Sequence, residues 1–503
     1  MTTNTYRSSA CPSARRFANS CLLLTLCLTP CLTRVAVPAD EIPARPDEIE
    51  FEPLRFEPPR ASDYRRVLSS GVPVYVAPSQ EFPLVTVRFD FRGGSYLEKK
   101  PGVASMTGAM IRRGGSSTMT AEELDEEFDF LAADCSTSSS GARLNCLVSS
   151  FDRAFGLFVD MLREPRLQAD KVKVYREQVL ESMKQRNDDA GDILGREWDF
   201  LFYGQDHFLG RVSTAAEIRS ITEEDMREYH EKVFQPGNLI IAVSGDFEIE
   251  KMLETLESAL EGWRKGERMP TPPPPTRTFE PAIYHVEKEI PQGKVFIGTR
   301  SVTRDHPDYF PLLIMNDILG GGGFTSRIMS RVRSDEGLAY SAGSSLTTPV
   351  YYPGEFRAFF QSKNRTVALA IKVIYEEIAS IRSEKVSEKE LETSRSTFIE
   401  TFPRTFESRD LMLSVFVDDE WTERPSDYWQ TYRDRVRAVT ADDVLRVAKE
   451  HLEPGSMAIF VVGKWDEIAP GDLGGRASMA EFFEGRRVKV PLRDPLTLAP
   501  IDG

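Results

Sequence analysis

Apolar and polar positions alternate with a period of two in "LVTVRFDFRGGS", from Leu84, and with the short apolar run "VPVYVAP", from Val72, this predicts two strands early in the chain. The spacing then turns helical in "GVASMTGAMIRRGG", from Gly102. Beyond a polar turn follow a helix from Ala121, a hairpin around Ser140 and helices from Phe151 and Ala169. Further on, "ITEEDMREYHEKVFQPGNLIIAVSGD", from Ile221, recurs as "VTADDVLRVAKEHLEPGSMAIFVVGK", from Val439, with Thr, Asp, Pro-Gly and a final Gly in register. Each copy opens on a capping box, Thr222 with Asp225 and Thr440 with Asp443, so a helix starts there. Pro-Gly stops that helix, and the unbroken apolar run after it reads as a buried strand. The chain is a tandem duplication of an α+β unit, each copy a mostly antiparallel sheet packed with helices.

The proline run of "RKGERMPTPPPPTRT" can enter neither a helix nor a central sheet and reads as an extended spacer between the copies. This divides the chain into a first domain over 64–263, a linker over 264–280 and a second domain over 281–466. An extension over 40–63 precedes them and a tail over 467–503 follows.

At 503 residues and 41% apolar content the chain can bury a large core. Its start differs from the rest. Arg7, Arg15 and Arg16 precede the apolar run "CLLLTLCLTPCL", and "VPA" ends at Ala39, which together read as an export signal over 1–39 cut ahead of Asp40. An uncleaved anchor is the alternative. That leader holds four arginines and no acid, so its removal takes the formal charge from −15 to about −19. Such a balance disfavours nucleic acid and anionic membrane as partners and leaves peptide or protein as the default. After cleavage only Cys135 and Cys146 remain. A two-residue turn at Ser140-Gly141 would set them opposite each other, as a cross-strand disulfide or as two free buried thiols.

The chemistry is thin. His207, His230, His285, His306 and His451 are the whole histidine complement, and no two lie at a spacing that would present paired imidazoles on one helix face. The glycines of "GGGGFTSR", from Gly320, lack the Lys-Ser/Thr of a phosphate loop, and no nucleophile elbow is present. Within "GGGGFTSRIMSRVRSDEGLAYS" the glycines leave backbone N–H groups open to an approaching chain. Arg333 and Tyr340 add two strong donors that could hold a peptide carbonyl or a developing oxyanion; read alone, a turn with a surface arginine and a core tyrosine is the favoured reading. In the helix from Val103, Ser105, Gly108 and Ala109 share a face, and Gly and Ser are poor choices there on propensity.

Together, the duplicated unit, "GVASMTGAMIRRGG" after a strand ending in Gly-Ser, and "LGGGGFTSRIMSRVRSDEGLAYS" in the second copy resemble the insulinase/pitrilysin family of zinc metallopeptidases. The likeness is to its short two-domain, processing-peptidase-like bacterial branch, over about Tyr64 to Asp466. The resemblance implies two homologous domains forming half of a clam-shaped chamber. In active members the first-copy helix carries H-x-x-E-H. Here the two histidines fall on Ser105 and Ala109, the catalytic glutamate on Gly108, and the third ligand, from "REQVLESMKQRNDD", on Ser182. That helix would turn Val172, Tyr175, Val179 and Ser182 inward. All four site positions lack the needed chemistry, so the resemblance implies no metal and no cofactor on this chain and no hydrolysis by it alone. In heterodimeric relatives the zinc-free subunit presents an Arg-Tyr pair to its partner's centre, and the matching residues are Arg333 and Tyr340. Gly320, Gly321, Gly322, Gly323 and Phe324 resemble a substrate-handling loop. The expectation is an exported, periplasmic, non-catalytic subunit, paired with a related zinc-bearing chain or with itself and binding unfolded polypeptide. The alternative is a stand-alone pseudopeptidase serving as a binding or scaffolding module.

Overall fold

A computed structural model describes residues 55–501; the leader read over 1–39 lies outside them. Two six-stranded sheets share one plan. The first holds β1 (Arg65–Val67), β2 (Pro73–Pro78), β3 (Leu84–Phe91), β4 (Asp134–Thr137), β5 (Gly141–Leu147) and β6 (Leu239–Gly245), in the spatial order β1-β2-β6-β3-β5-β4. The second holds β7 (Ile283–Glu287), β8 (Gln292–Arg300), β9 (Ala339–Leu346), β10 (Glu355–Lys363), β11 (Ala458–Gly463) and β12 (Arg487–Val490), in the order β12-β7-β11-β8-β10-β9. In each, the strand that follows the capping-box helix runs parallel to the first long strand, β6 beside β2 and β11 beside β7, and the hairpin strands are antiparallel. The edges differ: β1 is antiparallel to β2, whereas β12 is parallel to β7. Residues 487–490, in the segment read as a tail, thus belong to the second sheet.

The helices used below are α1 (Val103–Arg113), α2 (Phe151–Arg163), α3 (Ala169–Lys184), α4 (Ala190–Tyr203), α5 (Glu223–Val233), α6 (Tyr309–Asn316), α7 (Arg409–Trp421) and α8 (Ala441–His451). Both repeated capping boxes form, with Thr222 and Thr440 accepting from the backbone N–H groups of Asp225 and Asp443. No helix among the described residues is long and apolar enough to cross a membrane.

β6 and β11 are buried along nearly their whole length, which means both faces are covered. One face meets helices of the same half: Leu239, Ile241 and Val243 pack into the first core. The other face meets a helix lent by the opposite half. Met412, Leu413, Phe416 and Val417 of α7 cover Tyr75, Ala77, Ile240 and Ala242 of the first sheet. Ile193, Leu194, Trp198 and Phe202 of α4 cover Val286, Ala458, Phe460 and Val462 of the second. Polar anchors seal each exchange. Glu420 accepts from Arg65 at 2.7 Å and from Tyr75 at 2.6 Å, and the Trp198 indole donates to Glu355 at 2.7 Å.

The hairpin departs from the expected register. Cys135 pairs with Leu144, not Cys146, and the turn spans Ser138 to Ser140 with the Ser138 N–H bonded to the Gly141 carbonyl at 2.8 Å. The two cysteines share the buried face as diagonal neighbours, about 7–8 Å apart in an antiparallel pair and beyond the usual reach of a disulfide. Both are free thiols.

Candidate functional site

α1 and α3 pack side by side in the first half, with the Arg113 guanidinium 5.3 Å from the Tyr175 ring centroid. The hydroxyl of Ser105 is exposed and donates to the Gly102 carbonyl at 3.1 Å. Ala109 offers a methyl group. Ser182 differs from its expected placement: the buried stripe of α3 is Val172, Leu180 and Met183, with Tyr175 and Val179 half-buried, while Ser182 is exposed and donates to the Val179 carbonyl at 2.8 Å. Gly108 is buried because the β4–β5 turn occupies its side-chain space. A Cβ there would lie 2.3 Å from the Ser138 carbonyl carbon and 2.5 Å from the Ser139 nitrogen, and Thr137 Oγ1 donates to the Gly108 carbonyl at 2.6 Å. Two hydroxyls already bonded to their own helices, a methyl group and a hydrogen do not fit zinc, which takes imidazole, thiolate or carboxylate.

Burial pushes the Cys135 thiol up to about 12 and Cys146 up to about 11, so neither supplies a thiolate nucleophile near neutral pH.

The second half gathers the residues singled out there. α6 runs into a wide π-type turn over Asp317–Gly321, followed by Gly322 and Gly323, whose φ of +61° reverses the chain at no steric cost. Gly320 lies against β9, where a Cβ would meet the Ser344 nitrogen at 2.5 Å. The loop thereby delivers Phe324 beside Arg333, which sits in a second π-type turn over Ser330–Asp335. The Arg333 guanidinium carbon is 4.8 Å from the Phe324 ring centroid and 4.9 Å from that of Tyr340, on the edge strand β9. Phe324 is 75% exposed and Tyr340 83%, so Tyr340 is not a core residue. Among the described residues neither Arg333 nor the Tyr340 hydroxyl has a hydrogen-bond or ion-pair partner, whereas Arg327 and Arg331 beside them are bound to Glu390 and Glu376. A guanidinium flanked by two rings keeps its in-plane N–H groups free for a carbonyl or carboxylate. The contact of Phe324 with Arg333 was hidden in sequence, where nine positions separate them.

A duplicated α+β chain whose Ser105, Gly108, Ala109 and Ser182 offer zinc no imidazole, thiolate or carboxylate is similar to inactive homologues of peptidases. Residues 220–398 match the family described as Peptidase M16 inactive domain. It is 23% identical over 417 residues to a protein of Helicobacter pylori named Non-peptidase homolog YmxG, covering 80% of this chain and 94% of that one. An uncharacterized zinc protease of Mycobacterium leprae is 25% identical over 292 residues, 56% of this chain and 65% of that one. The fold is that of a peptidase M16 inactive domain protein from Pseudomonas fluorescens (TM-score 0.71, 24% identity, 80% of this chain and 97% of that chain). It also matches the periplasmic protease PqqL from Escherichia coli (TM-score 0.65, 14% identity, 85% of this chain and 49% of that chain).

Proposed function

We propose that this chain is the non-catalytic subunit of a heteromeric zinc metallopeptidase. In this reading it binds substrate polypeptide through the Gly320–Phe324 loop and supplies Arg333 and Tyr340 to a centre whose metal and water-activating glutamate reside on a related partner chain. The observation that carries the reading is the unpaired Arg333 guanidinium held between two exposed aromatic rings. Exposed rings and an unbonded arginine gain little in the isolated chain, and their donors suit the carbonyl of a bound peptide or the oxyanion formed on it. The non-peptidase name of the Helicobacter pylori relative supports a role without hydrolysis by this chain. The leader-like first 39 residues and the periplasmic relative of like fold support export.

The test is reconstitution of this chain with a related H-x-x-E-H-bearing chain from the same genome. Arg333→Ala with Tyr340→Phe should leave folding and association intact, since both side chains lie at the surface. Peptidase activity of the complex should fall by roughly 10²-fold, the scale of one lost oxyanion donor, and more in kcat than in KM. Full activity of that variant in a confirmed complex would leave this subunit as chamber wall only. Absence of any hydrolytic partner would favour the scaffolding alternative.

A further inference from the structure

The junction of α6 with α8 in the second half is built differently from its counterpart in the first. In the first half, Lys99 and Lys100, just ahead of α1, pair with Glu228 and Asp225 of α5. Glu228 and Arg446 hold the same place in the two repeats, and in the second half the ion pair is reversed. Arg446 Nη2 donates to Asp308 Oδ1 at 2.7 Å, and Asp308 stands at the start of α6. One reversed pair reproduces the first-half contact. The second copy adds more: Glu450 and His451 at the end of α8 stand where the first copy has Lys232 and Val233, and His306 lies two residues before Asp308.

These additions converge. One ligand atom from each of Asp308, Glu450 and His451 lies within 4.8 Å of the others, and this is the one such trio among the described residues. Asp308 is only 8% exposed, and its Oδ2 accepts from His451 Nε2 at 2.9 Å. Arg446 takes the other oxygen of Asp308 and, at 3.0 Å, Oε2 of Glu450, which leaves Glu450 Oε1 with no hydrogen bond. One oxygen of each carboxylate is thus held from behind by Arg446, as an outer-shell partner holds a metal ligand, while Glu450 Oε1 is unbonded and Asp308 Oδ2 is shared with His451 alone. The arginine and His451 keep the Asp308 carboxyl below its usual range, so it is ionised at neutral pH. His306 closes one side, its ring perpendicular to that of His451 with centroids 5.8 Å apart and its Nδ1 accepting from the Asp308 N–H at 3.1 Å. The end of a helix adds the negative potential of its free carbonyls.

We propose that Asp308, Glu450 and His451 form a site for one divalent transition cation, zinc foremost, that clamps the start of α6 to the end of α8. An imidazole with two carboxylates suits zinc, cobalt, nickel or manganese over calcium or magnesium, and zinc would outcompete manganese and cobalt there. The ion takes the place of the proton that His451 Nε2 shares with Asp308, so binding releases that proton. Because α6 runs directly into the glycine turn, the clamp would steady the base of the loop that carries Phe324. It is a structural site, distinct from the vacated positions on α1 and α3.

Titration of the purified, chelator-treated full chain with Co2+ should give visible d–d absorption saturating at one equivalent, abolished by Zn2+. Zn2+ should also raise the melting temperature. Glu450→Gln, at an exposed position, should weaken Zn2+ binding by about tenfold or more while keeping the metal-free melting temperature near the wild-type value, and His451→Ala should weaken Zn2+ binding by a similar factor. Absence of saturable Zn2+ binding to the wild-type chain up to 1 mM would overturn the site and leave an ion-pair network. Binding of equal strength in wild type and Glu450→Gln would overturn it as well, by assigning the metal elsewhere.

Discussion

Gly108, the position that the resemblance matches to a glutamate, gives a test in which two physical effects have opposite signs. In the middle of a helix, Gly→Ala gains about 0.5–1 kcal/mol from backbone entropy and propensity. At Gly108 the new Cβ would sit 2.3 Å from the Ser138 carbonyl carbon, 2.5 Å from the Ser139 nitrogen and 2.6 Å from the Ser138 oxygen. All three are backbone atoms, so no side chain can rotate away. Nor can the turn retreat freely: the Tyr229 hydroxyl donates to the Ser139 carbonyl at 2.9 Å, and the Phe91 N–H donates to the Ser140 carbonyl at 2.8 Å. Forcing a methyl group into a filled site costs about 1–3 kcal/mol, which exceeds the propensity gain. Gly108→Ala should therefore lower stability by about 1–2 kcal/mol, read as a lower urea midpoint at unchanged slope. Gly156→Ala is the control, because Gly156 lies exposed in α2 with no atom within 4 Å of an added Cβ; it should raise stability by up to about 1 kcal/mol. A Gly108→Ala protein as stable as wild type would refute the steric account. Should the account hold, writing H-x-x-E-H back into α1 would displace the turn before it created a metal site.

Two more predictions concern buried ionisable groups. Burial, and then the nearby Glu355 carboxylate, raise Asp199 of the exchanged helix α4 to about 7. Stability from this group is full below the ordinary Asp range near pH 4 and is lost as pH rises through 7; three pKa units set an upper bound of about 4 kcal/mol, reduced by solvent. Asp199→Asn should then melt above wild type at pH 8 and level with it near pH 4, and equal melting at both would sink the assignment. Cys135 and Cys146 should react slowly with a thiol reagent in the native state, and a chain lacking residues 1–39 should count two free thiols after denaturation; a count of zero would mean that the hairpin adopts the other register.

What could be read along the chain was local. The repeated capping boxes, the alternating strands and the proline spacer each depend on neighbouring residues and have their expected forms. The hairpin slipped because three serines and a glycine allow more than one turn, and only packing of the turn against Gly108 selects Ser138–Ser140. Ser182 was expected to face inward because its helix has two half-apolar stripes, and packing against neighbouring helices decides which is buried. Neither the exchange of α4 and α7 nor the trio of Asp308, Glu450 and His451 leaves a local trace, since each joins segments far apart in the chain. For the Arg333 site, the sequence offered the Arg333–Tyr340 spacing; the stacking of Phe324 required the fold of the glycine turn.

The reciprocal loan of α4 and α7 changes what the duplication means. Gene duplication ordinarily yields two modules that could part again, yet here each sheet has a back that its own copy leaves bare. A single ancestral copy would have had to cover Tyr75, Ala77, Ile240 and Ala242 with a second molecule of itself, its own helix answering in return. The tandem chain is therefore a homodimer made covalent, and the proline run is the thread that joined two partners already clasped rather than a hinge between strangers.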